Sequence, residues 1–97
     1  MKIIWTKTAA DRLAEIHDYI KNDNPLNAQN WVESVLDKIS KLSDFPKIGR
    51  KVPEVNVESI REIIFGNYRI IYKLAHENIE LVTVRHFKQV LPIDEIL

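Results

Sequence analysis

The fold is decided by residues 60–86, which read IREIIF-GN-YRIIYKL-AHEN-IELVTVRH. Three runs in this stretch are rich in Ile, Val, Tyr and Thr, a composition typical of β-strands. Gly66-Asn67 has the residues of a two-residue hairpin turn, and residues 75–78 separate the second and third runs. The stretch therefore predicts a three-stranded antiparallel meander, with strands at residues 60–65, 68–74 and 79–86.

The residues before the meander predict one strand and two helices. Residues 2–5 form a short apolar run that can join the sheet. Thr8 and Asp11 fit a capping box at the start of the first helix, and Asn24-Pro25 fits the start of the second. One face of each segment repeats at helical spacing, at Ala9, Leu13, Ile16, His17 and Ile20 in the first and at Ala28, Trp31, Val32, Val35, Ile39 and Leu42 in the second.

The second helix is expected to end near Asp44, because Pro46 disfavours helical geometry at Phe45. Residues 46–57 contain two prolines and a glycine and are interpreted as an ordered loop. The prediction is thus a single α+β domain over residues 1–97. It has an N-terminal strand, an αα-hairpin and a four-stranded sheet, with the helices on one face and the opposite face free to engage another macromolecule.

Composition excludes several functional classes. The 97 residues contain no cysteine, so disulfides, thiol nucleophiles and cysteine-ligated metals are excluded, and three scattered histidines do not suggest a metal site. No apolar run approaches the roughly 20 residues that span a bilayer. The N-terminus lacks the layout of a signal peptide, so the cytoplasm is the expected compartment. The net charge of zero gives no overall sign of a nucleic-acid binder.

The expected strand register brings two candidate site residues together. A tight turn at Gly66-Asn67 places Ile64 opposite Arg69, whereas a bulge at the turn would swap the faces of one strand. If Leu74 lies opposite Ile79, then Arg69 lies opposite Val84 and diagonal to His86. Arg69 and His86 would then share one face of the sheet.

Arg69 and His86 each have a functional and a structural interpretation. Arg69 could clamp a phosphate, or it could form an ion pair with Glu62 or Glu80. His86 could act as a general acid or base, or it could be a partly exposed histidine with a structural hydrogen bond.

Other basic residues are candidates for binding. Arg85 and Lys88 flank His86 and could contact phosphate, an acidic partner or only water. Arg50 and Lys51 follow Gly49 in a basic loop that could contact a partner or could simply be solvated.

Nearly the whole chain resembles the RelE/ParE toxin superfamily of bacterial type II toxin–antitoxin pairs. The resemblance is carried by the order and spacing of short motifs. They are Trp5-Thr6, Leu13-x-x-Ile16-x-x-Tyr19-Ile20, Asn24-Pro25-x-x-Ala28, Leu42-x-x-Phe45-Pro46-x-x-Gly49-Arg50, Val52-Pro53-Glu54, Ile60-Arg61-Glu62, Tyr68-Arg69-Ile70-Ile71-Tyr72 and Val84-Arg85-His86.

The resemblance implies a toxin held in check by a protein antitoxin. The antitoxin of such a pair wraps an otherwise disordered C-terminal segment over the toxin and binds its own promoter through a separate domain. Promoter DNA would therefore be reached only through the antitoxin. No membrane partner is implied.

The resemblance also implies two classes of target. ParE-like members inhibit DNA gyrase by binding it, whereas RelE-like members cleave mRNA on the ribosome without a metal or other cofactor. A ribonuclease would use Arg69 and His86 as catalytic residues on the 2′-hydroxyl and the neighbouring phosphate. Under either interpretation, partner or nucleic-acid binding is expected at Arg50, Lys51, Arg61, Arg69, Arg85 and Lys88.

The C-terminal segment, residues 90–97, favours the ParE-like interpretation. Many ribonuclease members have a basic or Tyr-bearing helix there, and this segment contains neither a basic residue nor a tyrosine. The neutral net charge points the same way, because binding to ribosomal RNA depends on charge neutralisation. A third interpretation is a degenerate member that only binds its antitoxin.

Overall fold

The computed structural model describes residues 1–97 as two helices packed on a five-stranded sheet. The elements are β1 Lys2–Trp5, α1 Lys7–Asp23, α2 Pro25–Ser40, a 3₁₀ turn Lys41–Ser43, β2 Arg50–Lys51, β3 Ile60–Phe65, β4 Tyr68–Ala75, β5 Asn78–His86 and α3 Ile93–Ile96. The strand order is β1-β5-β4-β3-β2, with β1 parallel to β5 and the other pairs antiparallel. The α+β class, the helical hairpin and the meander are confirmed. None of the helices is both long enough and apolar enough to cross a bilayer.

The predicted four-stranded sheet is wrong by one strand. The additional strand, β2, lies inside the predicted loop and pairs Arg50 with Glu62 and Lys51 with Arg61. Gly49 makes this approach possible, since a Cβ atom there would lie only 2.5 Å from the Glu62 carbonyl oxygen. Two residues are too few to produce a strand pattern in the sequence.

Each of the two long helices begins at an N-cap side chain that accepts a hydrogen bond from the backbone N–H three residues on. The predicted capping box at Thr8 and Asp11 is wrong, because α1 is capped by Thr6, whose hydroxyl accepts a hydrogen bond from Ala9 N at 3.1 Å. The Thr6 hydroxyl also donates to the Leu81 carbonyl at 2.7 Å, so one side chain joins the helix start to β5. The predicted Asn24 cap of α2 is confirmed. The α-helix α2 ends at Ser40, earlier than the predicted end near Asp44, and the 3₁₀ turn Lys41–Ser43 continues the helical path to the residue before Asp44.

The strand register is confirmed at both turns and shifted between them. Ile64 lies opposite Arg69, and Leu74 lies opposite Ile79. A β-bulge between these points leaves Val82 without a partner, because Ile71 pairs with Thr83 and Tyr72 pairs with Leu81. The predicted pairing of Arg69 with Val84 is therefore wrong, and Arg69 lies opposite Arg85.

Hydrophobic residues are buried on both faces of the sheet. The larger cluster lies between the sheet and the helical hairpin and contains Ala9, Val35, Ile39, Leu42, Ile70, Tyr72, Ile79, Leu81 and Val84. The smaller cluster lies on the face away from the helical hairpin, which we call the second face, and contains Val52, Ile60, Ile71, Val82, Leu91 and Ile96. The prediction of a free second face is wrong, because Val52 and the C-terminal segment cover part of that face and withdraw apolar strand residues from water.

Candidate functional site

Arg69 lies at the centre of an ion-pair network on the second face of the sheet. Its Nε donates to Glu62 at 2.7 Å, and its two terminal nitrogens donate to the two carboxylate oxygens of Glu54 at 2.6 and 2.7 Å. Arg50 Nε donates to the other oxygen of Glu62, also at 2.7 Å. Carboxylates therefore already occupy the side of the guanidinium that a phosphate would need.

The charges in this network stabilise one another. The hydrogen bonds from Arg69 lower the pKa of Glu54, and they do so against a smaller opposing effect of burial. The same contact with Glu54 is the largest cause that raises the pKa of Arg69. Glu62 is completely buried and is held by Arg50 and Arg69 from two different strands. The network thus ties β2, β3, β4 and the loop at Glu54 together.

Arg61 and Lys51, which face each other across β2 and β3, differ in their surroundings. Arg61 donates to Glu58 Oε1 at 2.5 Å and to the Gly49 carbonyl at 2.8 Å, and only 11% of its side chain is exposed. Lys51 is exposed on the short edge strand. Among the predicted binding residues of this region, Arg50 and Lys51 are thus accessible, whereas Arg61 and Arg69 are engaged inside the molecule.

Arg85 and His86 line a cavity between α1 and the end of β5. The cavity has a volume of about 390 Å³, and its other lining residues are Arg12, Glu15, Ile16, Tyr19, Tyr68, Val84 and Gln89. Arg12 and Arg85 both bind the carboxylate of Glu95 from the C-terminal segment. Arg85, like Arg69, is thus neutralised by a carboxylate of the same chain, and Lys88 is exposed beside the cavity.

His86 packs against the opposite face of the sheet from Arg69. Its ring meets Tyr68 edge to face at 5.2 Å, and Tyr68 in turn meets Trp31 of α2 at 5.1 Å. His86 Nδ1 accepts a hydrogen bond from Lys88 N at 3.0 Å. The predicted sharing of one face by Arg69 and His86 is wrong, because the bulge at Val82 changes which residues of β5 lie beside Arg69.

An apolar groove lies between α1 and α2 and was not predicted from the sequence. It has a volume of about 450 Å³ and is lined by Trp5, Ala10, Leu13, Ala14, His17, Val32 and Leu36. The signal in the sequence was the presence of Ala10, Ala14 and Leu36 outside the apolar stripes that pack on the sheet. Small side chains on α1 beside an exposed leucine on α2 create room for an apolar segment.

Comparison with known proteins identifies the family. The family model described as "ParE toxin of type II toxin-antitoxin system, parDE" matches residues 3–91. The "Putative toxin Y4kP" of Sinorhizobium fredii is 32% identical over 93 residues, which cover 94% of this chain and 93% of that protein.

A solved structure shows the same fold. A chain of the "Chromosomal ParDE TA system from P. aeruginosa" superposes with a TM-score of 0.74 at 20% identity, over 89% of this chain and 95% of that chain. The fold, the family model and the curated relative agree with one another. This chain belongs to the ParE toxin family of type II toxin–antitoxin systems.

Proposed function

We propose that this toxin acts by binding and inhibiting DNA gyrase, in the cytoplasm, and that a cognate antitoxin neutralises it. The observation that carries the proposal is the separation of Arg69 and His86 on opposite faces of the sheet. A ribonuclease needs its cation and its acid or base at one phosphate, and the arginines that do share a cavity with His86, Arg12 and Arg85, are paired with Glu95. Action by binding makes no such demand, and gyrase is the target that the ParE-like resemblance implies.

The groove between α1 and α2 is the surface that we assign to the antitoxin. An antitoxin segment that orders on binding must offset its ordering cost by burying apolar area. The groove offers six hydrophobic side chains around one concave surface. Promoter DNA would be bound by the antitoxin, and the toxin would reach it only through that partner.

The proposal predicts that the purified chain inhibits supercoiling by gyrase and leaves mRNA intact. Relaxed plasmid would be incubated with gyrase, ATP and increasing toxin, and the topoisomers would be separated on agarose. In parallel, mRNA integrity would be followed by northern blotting after induction of the chain in growing cells. Co-expression of the protein encoded beside this gene should restore growth.

Two other outcomes would contradict gyrase inhibition. Rapid mRNA cleavage with normal supercoiling would favour the RelE-like alternative. No effect on growth, supercoiling or mRNA would favour a member that only binds its antitoxin.

Leu36→Asp should weaken antitoxin binding by about tenfold or more, because a carboxylate would enter an apolar interface. Leu36 is partly exposed in the groove, so the fold should tolerate the change. Affinity would be measured by isothermal titration calorimetry with the purified antitoxin. Leu26→Asp, at an exposed leucine of α2 outside the groove, is the matched control. Equal affinity for wild-type and Leu36→Asp chains would refute the assignment of the groove.

A further inference from the structure

Residues 45–48, here named the 45–48 loop, expose two large apolar side chains. Phe45 and Ile48 are each 62% accessible to solvent. They lie between the 3₁₀ turn and β2, and they line one shallow depression together with Pro46 and Lys47. Neither side chain contributes to the two hydrophobic clusters that hold the sheet. Their exposure therefore has no evident role in stabilising the fold.

The backbone of the 45–48 loop is nevertheless held by buried groups. The Tyr72 hydroxyl donates to the Pro46 carbonyl at 2.7 Å and accepts from Gly49 N at 3.0 Å. Arg61 donates to the Gly49 carbonyl at 2.8 Å, and Ile48 N donates to the Phe45 carbonyl at 3.1 Å. Tyr72 is completely buried, so its hydroxyl is a fixed point within the main cluster. The loop is thus fixed in shape before any partner arrives.

A fixed loop with exposed apolar side chains has the properties of a protein-binding element. Exposed apolar groups gain free energy when a partner removes them from water. A loop that is already ordered loses little conformational entropy on binding, so more of that gain appears as affinity. Aromatic residues are also enriched among the residues that dominate binding energy at protein interfaces.

The charge around the loop indicates the chemistry of the partner. Residues 38–51 contain five basic residues and one acidic residue, a net charge of +4 in a chain whose total is zero. Lys38, Lys41 and Arg50 line one cavity of about 420 Å³ together with Ile48. Lys47 lies between the two apolar residues in sequence. Lys41, Lys47 and Arg50 lie within 3.9 Å of Asp37, Glu58 and Glu62, respectively, whereas no carboxylate pairs with Lys38 or Lys51. Basic side chains thus border the two apolar ones with an excess of positive charge, which fits an apolar cleft bordered by carboxylates.

We infer that the 45–48 loop docks into an apolar, acid-bordered cleft on the protein that the toxin inhibits. This inference rests on the proposed function, which makes that protein DNA gyrase. The antitoxin is a poorer match, because a segment that folds on binding needs a groove, such as the one between α1 and α2. A nucleic acid is also a poorer match, because Ile48 offers neither a ring for stacking nor a group for hydrogen bonding to bases.

The test compares the Phe45→Ala/Ile48→Ala chain with the wild type in two binding measurements. Binding to immobilised gyrase should weaken by about a hundredfold, and the toxin concentration that halves supercoiling should rise in proportion. Affinity for the antitoxin should stay within twofold. Both side chains are exposed, so thermal unfolding should confirm an unchanged fold. Leu26→Ala removes a side chain of similar exposure, 65%, from α2 and should change neither measurement.

The cations provide a second, independent variant. Lys38→Glu/Lys47→Glu should slow association with gyrase by about tenfold at low salt, with a smaller effect at high salt.

Each other outcome overturns a defined part of the inference. If the double alanine chain inhibits gyrase as the wild type does, the loop is not the docking element, although the proposed function stands. Loss of antitoxin binding instead of gyrase binding would assign the loop to the antitoxin. Binding of a DNA or RNA fragment that the double variant loses would assign it to nucleic acid. A wild-type chain that does not bind gyrase would overturn the proposed function and gyrase as the partner together.

Discussion

Replacing Arg69 by alanine is expected to lower the free energy of unfolding by about 3–5 kcal/mol, the usual result of breaking a buried ion pair from one side. The change leaves the fully buried carboxylate of Glu62 with Arg50 as its one remaining partner, and it also releases Glu54. Urea unfolding curves recorded by far-UV circular dichroism measure this loss. Any loss of toxicity in this variant must therefore be interpreted together with its stability.

Two further measurements distinguish a lost ion pair from a general defect. Glu62→Leu/Arg69→Met should be much more stable than Arg69→Ala, because a buried ion pair can often be replaced by apolar residues of similar volume. The pKa of Glu54 is lowered by Arg69 in the folded state, so this contribution is present above the ordinary glutamate pKa of about 4.3 and is lost as the pH falls further. The difference between wild type and Arg69→Ala should shrink in that acidic range. Equal urea midpoints for the two chains at neutral pH would refute the network's role.

Gly49→Ala is expected to destabilise the fold by about 2–3 kcal/mol, within the range measured for overpacked sites. The added Cβ would lie 2.5 Å from the Glu62 carbonyl oxygen, 2.7 Å from the Tyr72 hydroxyl and 2.8 Å from Tyr72 Cε1. Neither neighbour can move easily, since one is strand backbone and the other is a buried ring. In a domain of this size the loss corresponds to roughly 10–20 °C in melting temperature, which differential scanning calorimetry can measure.

Gly66 is the matched control, because its backbone conformation, and not close packing, favours a glycine there. Its φ is +57°, and a Cβ there would meet no atom within 4 Å. Gly66→Ala should therefore cost only about 1 kcal/mol through the backbone, and Gly66→Asn should cost less, because asparagine tolerates that conformation. If Gly49→Ala melted no lower than Gly66→Ala, close packing at β2 would not be the reason for Gly49.

The parts of the fold that can be predicted from the sequence are those with a local physical signal. The Gly66-Asn67 turn is predictable because the residue with positive φ is a glycine, and this fixes Ile64 opposite Arg69. The start of α2 is predictable because Asn24 caps the helix immediately before a proline. The αα-hairpin follows from apolar stripes whose period is that of a helix.

The parts that escape prediction depend on contacts between distant residues. No residue type around Val82 predicts the β-bulge there. The bulge nevertheless places Arg69 opposite Arg85 instead of opposite Val84. Leu91 and Ile96 are buried on the second face against apolar strand residues. The sequence indicates that these strand residues need a cover, but it does not say whether the chain itself or a partner provides it. Glu54, Glu62 and Arg69 are recognisable as charged residues, but their convergence requires the three-dimensional path of the chain.

The parallel pairing of β1 with β5 has a consequence for how the protein is made. The first strand of the chain pairs with its last strand, Lys2 with Asn78 through Trp5 with Leu81. A nascent chain cannot form this pairing until Leu81 has been synthesised and has emerged, so the sheet is completed only after β3 and β4 are available. A chain that stops before β5 therefore lacks both the partner of β1 and the finished sheet.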